Sequence, residues 1–343
     1  MRFGRFACVV GLNIALLAGC GATTTTPMTA ASQNVPSPGA GAVRDPNKLV
    51  YLSEWRILGH PSAAIFYGYK SMRRVGHITG FNERTGQCVD AAGDVWIAQA
   101  DGQAVTEYAH GGTTPIKTLA TSGRAFGCSV APDGDLAVGN FDVGSAPGSI
   151  QVFKNASGPP HQYTCPGFGY YDDPGYDANG NLYVEVLVDL RTSTTGVCEL
   201  PAGGNALRPV SLNVTIGATG STMWDGKYIT LTDTNYNGTY GTAIYQATES
   251  PSGNLTVVGT TVLFDRRGRV AGGRQPFIVG DENTPRNRHQ GSVVVGFSES
   301  LLTYWNYPAG GKPIKRFPDA TETRHPFGES VSIDRATSPS TLH

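Results

Sequence analysis

The chain has 343 residues, of which 26 are Lys or Arg and 27 are Asp or Glu, so its formal net charge is only −1. This balance, with no basic stripe interleaved with aromatic residues, argues against a nucleic-acid partner. The 45 glycines and 22 prolines, without a sustained 3.6-residue apolar period, indicate a turn-rich all-β protein with one large domain.

The first twenty residues have the pattern of an export signal. Arg2 and Arg5 precede an apolar run at 6–18 that is too short to span a membrane comfortably, and the run ends in Leu17-Ala18-Gly19-Cys20. This ending resembles the lipobox of bacterial lipoproteins, which implies cleavage before Cys20 and acylation of its thiol and its new amino terminus. Several acyl chains together would give lasting membrane anchorage. The alternative is ordinary signal cleavage that leaves Cys20 as a free thiol.

The segment after the signal is predicted to be a tether. Residues 20–47 are rich in Thr, Ser, Ala, Pro and Gly, so they cannot bury enough apolar surface to offset the entropy of ordering. We therefore predict a signal peptide at 1–19, a disordered tether at 20–47, a β-domain at 48–335 and a disordered tail at 336–343. Gly21, rather than Asp, after Cys20 resembles the outer-membrane sorting pattern of cells with two membranes, which favours an anchor in the outer membrane or at the cell surface over one in the inner membrane.

A four-stranded unit first occurs at residues 85–119. The segments TGQCVD, VWIAQ, AVTEY and PIKTL are strand-like, because β-branched and aromatic residues suit a pleated, half-buried surface. Turns separate them, and Gly93 in the first turn supplies a positive φ without a Cβ clash. A single sheet of this size would be only marginally stable.

The same unit recurs downstream. The first-turn glycines Gly93, Gly134, Gly180 and Gly226 are 41 to 46 residues apart, and a degraded copy follows in which the first turn has expanded into 281–290. Four strands in a repeat of this length are typical of propeller blades.

The two chain ends are predicted to share one blade. Residues 50–79 supply only three strands, and Phe327–Ile333 has the character of the missing opening strand. Pairing the two ends would close the ring and remove its exposed edges. We therefore predict an all-β, six-bladed β-propeller in which one blade combines N-terminal and C-terminal strands.

Four cysteines remain once Cys8 leaves with the signal and Cys20 takes the lipid. An even number in an exported chain favours two disulfides, and four cysteines allow three pairings. Because Cys88 and Cys128 occupy matching places on opening strands of neighbouring blades, we predict that they pair, and by elimination that Cys165 pairs with Cys198. The alternative is buried free thiols.

Two stretches are candidate ligand sites. The first, FGYYDDPGY at 168–176, combines adjacent carboxylates that could ligate a hard cation with tyrosines of the kind found on sugar-binding surfaces. Its candidate residues are Tyr170, Tyr171, Asp172 and Asp173. Alternatively, the aromatic rings wedge between blades and the acids cap a turn. The second stretch is the enlarged loop, since loops on a rigid scaffold often carry binding. Alternatively, its arginines simply keep an exposed loop solvated. Its candidate residues are Glu282, Arg286, Arg288 and His289.

The segments DAAGDVWIAQ, VTEYAHGGTTPIKTL, DANGNLYV and YPAGGKPIKRF resemble NHL-type and related six-bladed propellers of exported bacterial proteins. The resemblance covers nearly all of residues 49–335, and its turns and strand patterns specify the fold better than the activity. Related propellers include gluconolactonase-like hydrolases and streptogramin lyases, which place a metal ion or a catalytic histidine in the axial channel. The resemblance implies that the channel could hold a single divalent cation.

Motifs for common hydrolase, zinc-protease, phosphate-binding and EF-hand sites do not occur in the sequence. We therefore predict a lipid-anchored, monomeric, extracytoplasmic propeller that binds a protein, peptide or glycan without a cofactor. The alternative prediction is a metal-dependent lactonase or lyase, motivated by the family resemblance and by the pair of adjacent acids.

Overall fold

The computed structural model describes residues 47–54, 62–81, 86–141, 147–188, 194–280, 291–298, 301–317 and 326–334. The predicted signal peptide, the lipidated Cys20, nearly all of the tether and the tail lie outside the described residues. Four candidate ligand residues of the enlarged loop also lie outside them, namely Glu282, Arg286, Arg288 and His289. Within the described ranges, no helix is both long and apolar enough to cross a membrane.

The described strands form six small antiparallel sheets arranged in a ring, which we call blades. Blade 1 contains β1 (Lys48–Glu54), β2 (Ser62–Gly68), β3 (Arg74–Phe81) and β25 (Pro326–Ile333). Blade 2 contains β4 (Gln87–Val89), β5 (Val95–Gln99), β6 (Ala104–Tyr108) and β7 (Pro115–Ala120). Blade 3 contains β8 (Arg124–Val130), β9 (Leu136–Phe141), β10 (Ser149–Phe153) and β11 (His161–Tyr163). Blade 4 contains β12 (Tyr170–Tyr171), β13 (Gly175–Tyr176), β14 (Leu182–Leu187), β15 (Thr195–Leu200) and β16 (Arg208–Val210). Blade 5 contains β17 (Thr222–Trp224), β18 (Ile229–Asp233), β19 (Ala243–Glu249) and β20 (Leu255–Val262). Blade 6 contains β21 (Phe277–Gly280), β22 (Gly291–Ser298), β23 (Leu301–Asn306) and β24 (Gly310–Phe317). Two one-turn 3₁₀ helices lie at Lys154–Ala156 and Tyr236–Gly238. The predicted six-bladed propeller is confirmed.

The ring is closed by the two ends of the chain. Strand β25 pairs antiparallel with β1, and Val331 lies opposite Val50 while Glu329 lies opposite Leu52. The C-terminal strand is therefore the innermost strand of blade 1, as the sequence predicts.

In blades 2, 4 and 5 the first turn is held by the aspartate that begins it. Asp90 Oδ1 accepts backbone hydrogen bonds from Ala92, Gly93 and Asp94. Asp177, at the corresponding turn of blade 4, likewise accepts from Asn179 and Asn181. The turn glycines at 93, 134, 180 and 226 all have positive φ. Because Asp at these positions bonds its own backbone, it fixes the turn and leaves the strands to pair.

The hydrophobic core is divided among the interfaces between blades, and each of its six clusters lies between two neighbouring blades. Strand β5 shows how one strand serves two clusters. Val95 and Ile97 pack in the layer shared with blade 1, whereas Trp96 and Ala98 pack in the layer shared with blade 3. Since successive side chains of a strand point to opposite faces, a strand buried on both sides reads as a continuous apolar run.

Two disulfides reinforce this packing, and both predicted pairings are confirmed. Cys88–Cys128 joins the innermost strands of blades 2 and 3 with a Cα–Cα distance of 5.5 Å. Cys165–Cys198 joins the connection after blade 3 to β15, with a Cα–Cα distance of 6.4 Å. Chain-entropy considerations give each bridge about 4 kcal/mol of stabilisation.

Neighbouring blades are also linked around the axis, where their innermost strands approach one another. The links run from Gln87 to Gly328, from Cys88 to Cys128, from Tyr176 to Ser129, from Thr222 to Asp173, from Ser221 to Pro276 and from Gln275 to Gly328. Every one of the six interfaces therefore carries a polar or covalent link close to the axis, so the wall of the central channel is a continuous ring.

Candidate functional site in the axial cavity

A cavity of about 200 Å³ lies within this ring, lined by residues from all six blades. Polar side chains line its deep end, and each is at least nine-tenths buried: Gln87, Asp173, Ser221, Thr222, Gln275 and Glu329. The opposite end is apolar and half-buried, lined by Val89, Val130, Met223, Trp224 and Phe277. The cavity therefore has a polar floor and an apolar mouth.

A bulge in blade 4 places Asp173 at this floor. Tyr171 pairs with Val186 and Gly175 pairs with Tyr183, so residues 172–174 lie opposite only two residues of β14. Pro174 has no N–H to donate to the ladder, which favours an interruption here. Bulges redirect side chains, and this one separates β12 from β13 where the two acids occur.

The Asp172 carboxyl group contacts its neighbours through one oxygen, Oδ2. Thr219 Oγ1 donates to Asp172 Oδ2 at 2.8 Å, and Arg274 Nη2 lies 3.5 Å from the same oxygen. The Arg274 guanidinium also lies 5.8 Å from the centre of the Phe126 ring. Burial raises the pKa of Asp172, and the charge of Arg274 opposes the shift. Asp172 is therefore a structural partner of Arg274 rather than part of the cavity wall.

Asp173 lies against the backbone of blade 3. A Cβ added to Gly127 would come within 1.1 Å of Asp173 Oδ1, so the carboxyl group fits only because this residue is glycine. Burial raises the pKa of Asp173 well above its usual range, and the charge of Asp172 raises it further, while the charge of Arg274 and the neighbouring amide of Gln275 oppose both effects. Asp173 therefore holds its proton to a higher pH than an exposed aspartate does, and in the protonated form the carboxyl group can donate as well as accept.

Glu329 approaches the cavity from blade 1 and is only 3% exposed. Burial raises the pKa of Glu329 well above its usual range, and the charge of Asp173 adds to the effect. Beside it, Gln87 Nε2 donates to the backbone oxygens of Gly328 at 2.8 Å and Tyr51 at 3.1 Å. These bonds fix the orientation of the Gln87 amide group.

A third buried acid supports the floor from behind. Glu185 on β14 is fully buried and accepts hydrogen bonds from the backbone N–H groups of Thr232 at 2.6 Å and Gly220 at 3.0 Å. Burial raises its pKa, and the two backbone donors oppose the shift. Glu185 therefore links blades 4 and 5 and has no oxygen in the cavity wall.

Several polar atoms of the floor have no hydrogen-bond partner among the described residues. They are Gln87 Oε1, Asp173 Oδ1, Thr222 Oγ1, Gln275 Nε2 and Glu329 Oε2. An unpaired buried polar group costs about 1–3 kcal/mol, and native structures carry few of them. All five atoms belong to residues that line one cavity, so unsatisfied hydrogen-bonding groups are concentrated at this floor.

The structure separates the four predicted residues of the first ligand stretch. Tyr171 is fully buried, and its hydroxyl accepts a hydrogen bond from the Cys165 N–H at 2.6 Å. Tyr170 is half-buried and lies edge-on to Phe141 with ring centres 5.5 Å apart. The tyrosines thus pack within the blades, and Asp173 lies in the wall of the axial cavity.

Sequence reasoning predicted Asp173 but missed the other floor residues, namely Gln87, Ser221, Thr222, Gln275 and Glu329, and also missed the supporting residues Glu185 and Arg274. One signal was present, because Glu185 is a charged residue inside the otherwise apolar strand LYVEVL. Glu329 and Gln87 each follow a glycine on an innermost strand, in FGESV and TGQCV. A polar residue at that position faces the axis, where apolar packing between blades ends.

The floor does not supply the ligands that a divalent cation needs. In the described part of the chain, the acids that converge in a group of three are Asp90, Asp94 and Glu107, in blade 2 rather than in the cavity wall. Asp90 Oδ1 is already occupied by three backbone donors, and Glu107 lies 3.7 Å from Lys117 Nζ. The family-implied cation therefore does not fit the floor as arranged.

No protein-family model matches the chain, and no curated protein matches it. Several solved structures match the chain. A chain of a nidogen/laminin complex is 13% identical, with a TM-score of 0.57 over 84% of this chain and 99% of that chain. A protein of unknown function from Bacteroides caccae is 11% identical, with a TM-score of 0.57 over 83% and 99%. A virginiamycin B lyase from Staphylococcus aureus, solved with quinupristin, is 10% identical, with a TM-score of 0.50 over 85% and 97%. At these identities the comparisons show that the chain shares a fold with these proteins, a six-bladed propeller.

Proposed function

We propose that this protein is a lipid-anchored extracytoplasmic binding protein whose NHL-like propeller recognises a protein, peptide or glycan ligand through its axial cavity. The observation that carries the proposal is the set of unpartnered polar atoms on the buried floor of that cavity. A rigid ring with a polar floor and an apolar mouth is suited to binding, because few groups need to be ordered when the ligand enters.

The extracytoplasmic location is supported by two disulfides, which persist in oxidising compartments. Lipid anchorage rests on the signal sequence. We expect a Cys20→Ser variant to be lost from the membrane fraction of the producing cells, while the wild-type chain remains there and yields a diacylglycerol-modified N-terminal peptide by mass spectrometry. An unmodified N terminus in the wild-type protein would contradict the anchor and leave the binding proposal standing.

Binding is tested by screening the full chain, purified in detergent, against peptides, glycans and small polar ligands by thermal shift and calorimetry. We expect hits whose affinity falls at least tenfold in Asp173→Asn and Glu329→Gln. The matched control is Asp101→Asn, which changes an exposed acid that lies 4.0 Å from Arg124. Hits unaffected by both cavity variants would place binding elsewhere on the protein.

A metal-dependent lactonase or lyase is the second candidate, although the floor would have to rearrange to hold its cation. It is favoured by the buried carboxyl groups of Asp173 and Glu329, since raised carboxyl pKa values are typical of acid and base groups in active sites. This candidate fails if the purified protein contains no stoichiometric metal by elemental analysis and hydrolyses no member of a lactone panel.

A further inference from the structure

We propose that the axial cavity binds a primary ammonium group carried on an apolar chain, as in a lysine side chain or an alkylamine. Unpartnered acceptors on the floor and apolar side chains at the mouth together point to this ligand class. The inference rests on the proposed binding function and specifies what that site recognises.

The floor offers acceptors that no described residue uses. Asp173 Oδ1, Glu329 Oε2 and Gln87 Oε1 come from three different blades, and none has a hydrogen-bond partner among the described residues. Each of these side chains is more than nine-tenths buried. An ammonium group carries three N–H donors and no acceptor, so its hydrogen-bonding capacity matches this set.

The charge of the floor also favours a cation. Asp173 and Glu329 are acids, and the nearby Arg274 is directed to Asp172 and the Phe126 ring. Attraction between a bound ammonium group and these carboxylates is strong at a buried site, because little water screens it. A guest without positive charge would leave this attraction unused.

The mouth is suited to the chain that carries the ammonium group. Met223, Trp224 and Phe277 of blades 5 and 6 are half-buried there, and Val89 and Val130 of blades 2 and 3 line the same end. Methylene stems of lysine bury readily along such apolar surface while the charged head reaches polar groups. A bare divalent cation has no stem and needs six or more oxygen ligands, and a neutral sugar brings hydroxyl groups that an apolar mouth cannot satisfy.

The test is calorimetry on the full chain in detergent at pH 8 and low salt. We expect 1-aminopentane to bind at least tenfold more tightly than 1-pentanol, which has the same stem without the charge. Nα-acetyl-lysine amide distinguishes the sources of the ammonium group: binding indicates recognition of lysine in a peptide, whereas binding of 1-aminopentane alone indicates a free alkylamine. Equal affinity for the alcohol and the amine would overturn the proposal.

Variants locate the site. Asp173→Asn and Glu329→Gln should each weaken amine binding at least tenfold, Met223→Ala at the half-buried mouth should weaken it severalfold, and Asp101→Asn should leave it unchanged. Met223→Ala keeps the test informative if a floor variant fails to fold. Retained affinity in all three cavity variants would show that amines bind elsewhere and would refute the assignment.

The pH dependence gives an independent readout. The charged groups that face Asp173 are Asp172, Glu185, Glu329 and Arg274. Because Asp173 and Glu329 retain protons above the ordinary carboxyl range, amine affinity should rise with pH, and binding should release protons into the buffer. Affinity independent of pH between 5 and 8 would contradict a role for these carboxylates.

The outcomes also separate this inference from the proposed binding function. If a neutral peptide or glycan binds the cavity while amines do not, the ligand class is wrong and the binding function stands. If no ligand of any class binds, both proposals fail.

Discussion

At the scale of single residues, the buried acids in and behind the cavity floor lower the stability of the folded protein. Asp173, Glu185 and Glu329 are all buried acids with raised pKa values, and Arg274 lies beside Asp172. Glu185 has two backbone donors to offset its burial, whereas one oxygen each of Asp173 and Glu329 has no partner among the described residues. Natural proteins retain such costs mainly at functional sites.

The pH dependence of stability should reveal the cost of Glu329. Its folded-state pKa is raised above the value of about 4.3 expected in the unfolded chain, so the folded state holds the proton more tightly. Between these two values the unfolded state binds fewer protons, and the stability contributed by this group falls as pH rises. We therefore expect Glu329→Gln to have nearly wild-type stability at pH 4 and to exceed it by at least about 1 kcal/mol at pH 8.

Urea unfolding followed by tryptophan fluorescence at several pH values measures this difference. Asp101→Asn is the control, because its carboxyl group is exposed and should give a difference close to zero throughout. A constant difference between Glu329→Gln and wild type across the pH range would contradict the buried ionisation.

At the scale of strands, the bulge of blade 4 depends on a close approach to blade 3. Gly127→Ala would place a methyl group within 1.1 Å of Asp173 Oδ1, so the carboxyl group must move or the blades must separate. We expect a loss of about 1–3 kcal/mol in the free energy of unfolding, together with loss of any ligand bound on the floor. Chemical denaturation and calorimetry measure the two effects.

Gly280→Ala is the matched control, since nothing lies within 4 Å of a Cβ added at that position. It should change stability by less than about 0.5 kcal/mol. Equal effects of the two substitutions would show that the contact between Gly127 and Asp173 is not tight.

The strands and turns could be predicted from sequence, whereas the floor could not. Gly93 and Asp90 repeat with their strands because local backbone requirements dictate them, and Val95 to Ala98 alternate between two apolar layers. The bulge at 172–174 arises from how β12 and β13 share β14, which no local pattern fixes. Polar residues of the floor are separated along the chain by up to 242 positions, between Gln87 and Glu329, and only ring closure brings them together.

At the scale of the whole molecule, closure by β25 supports every other feature. This strand supplies Glu329 to the cavity, pairs with β1 and contributes Val331 to the core layer between blades 1 and 6. A chain ending at residue 325 would leave β1 as an open inner edge and would remove one of the two acceptors of the Gln87 amide, the backbone oxygen of Gly328. An exposed strand edge promotes pairing between molecules.

We therefore expect the chain truncated after residue 325 to lose cooperative unfolding and to associate, as measured by thermal circular dichroism and light scattering. Truncation after Asp334 keeps all of β25 and is the control, with a melting temperature within a few degrees of the full chain. Cooperative unfolding of the shorter chain as a monomer would mean that five blades and three strands hold the ring without the C-terminal strand. In that case pairing of the chain ends would not be the source of the rigidity of the ring. The cavity floor would then be held in place by the links near the axis between blades 2 and 6, among which Cys88–Cys128 is covalent.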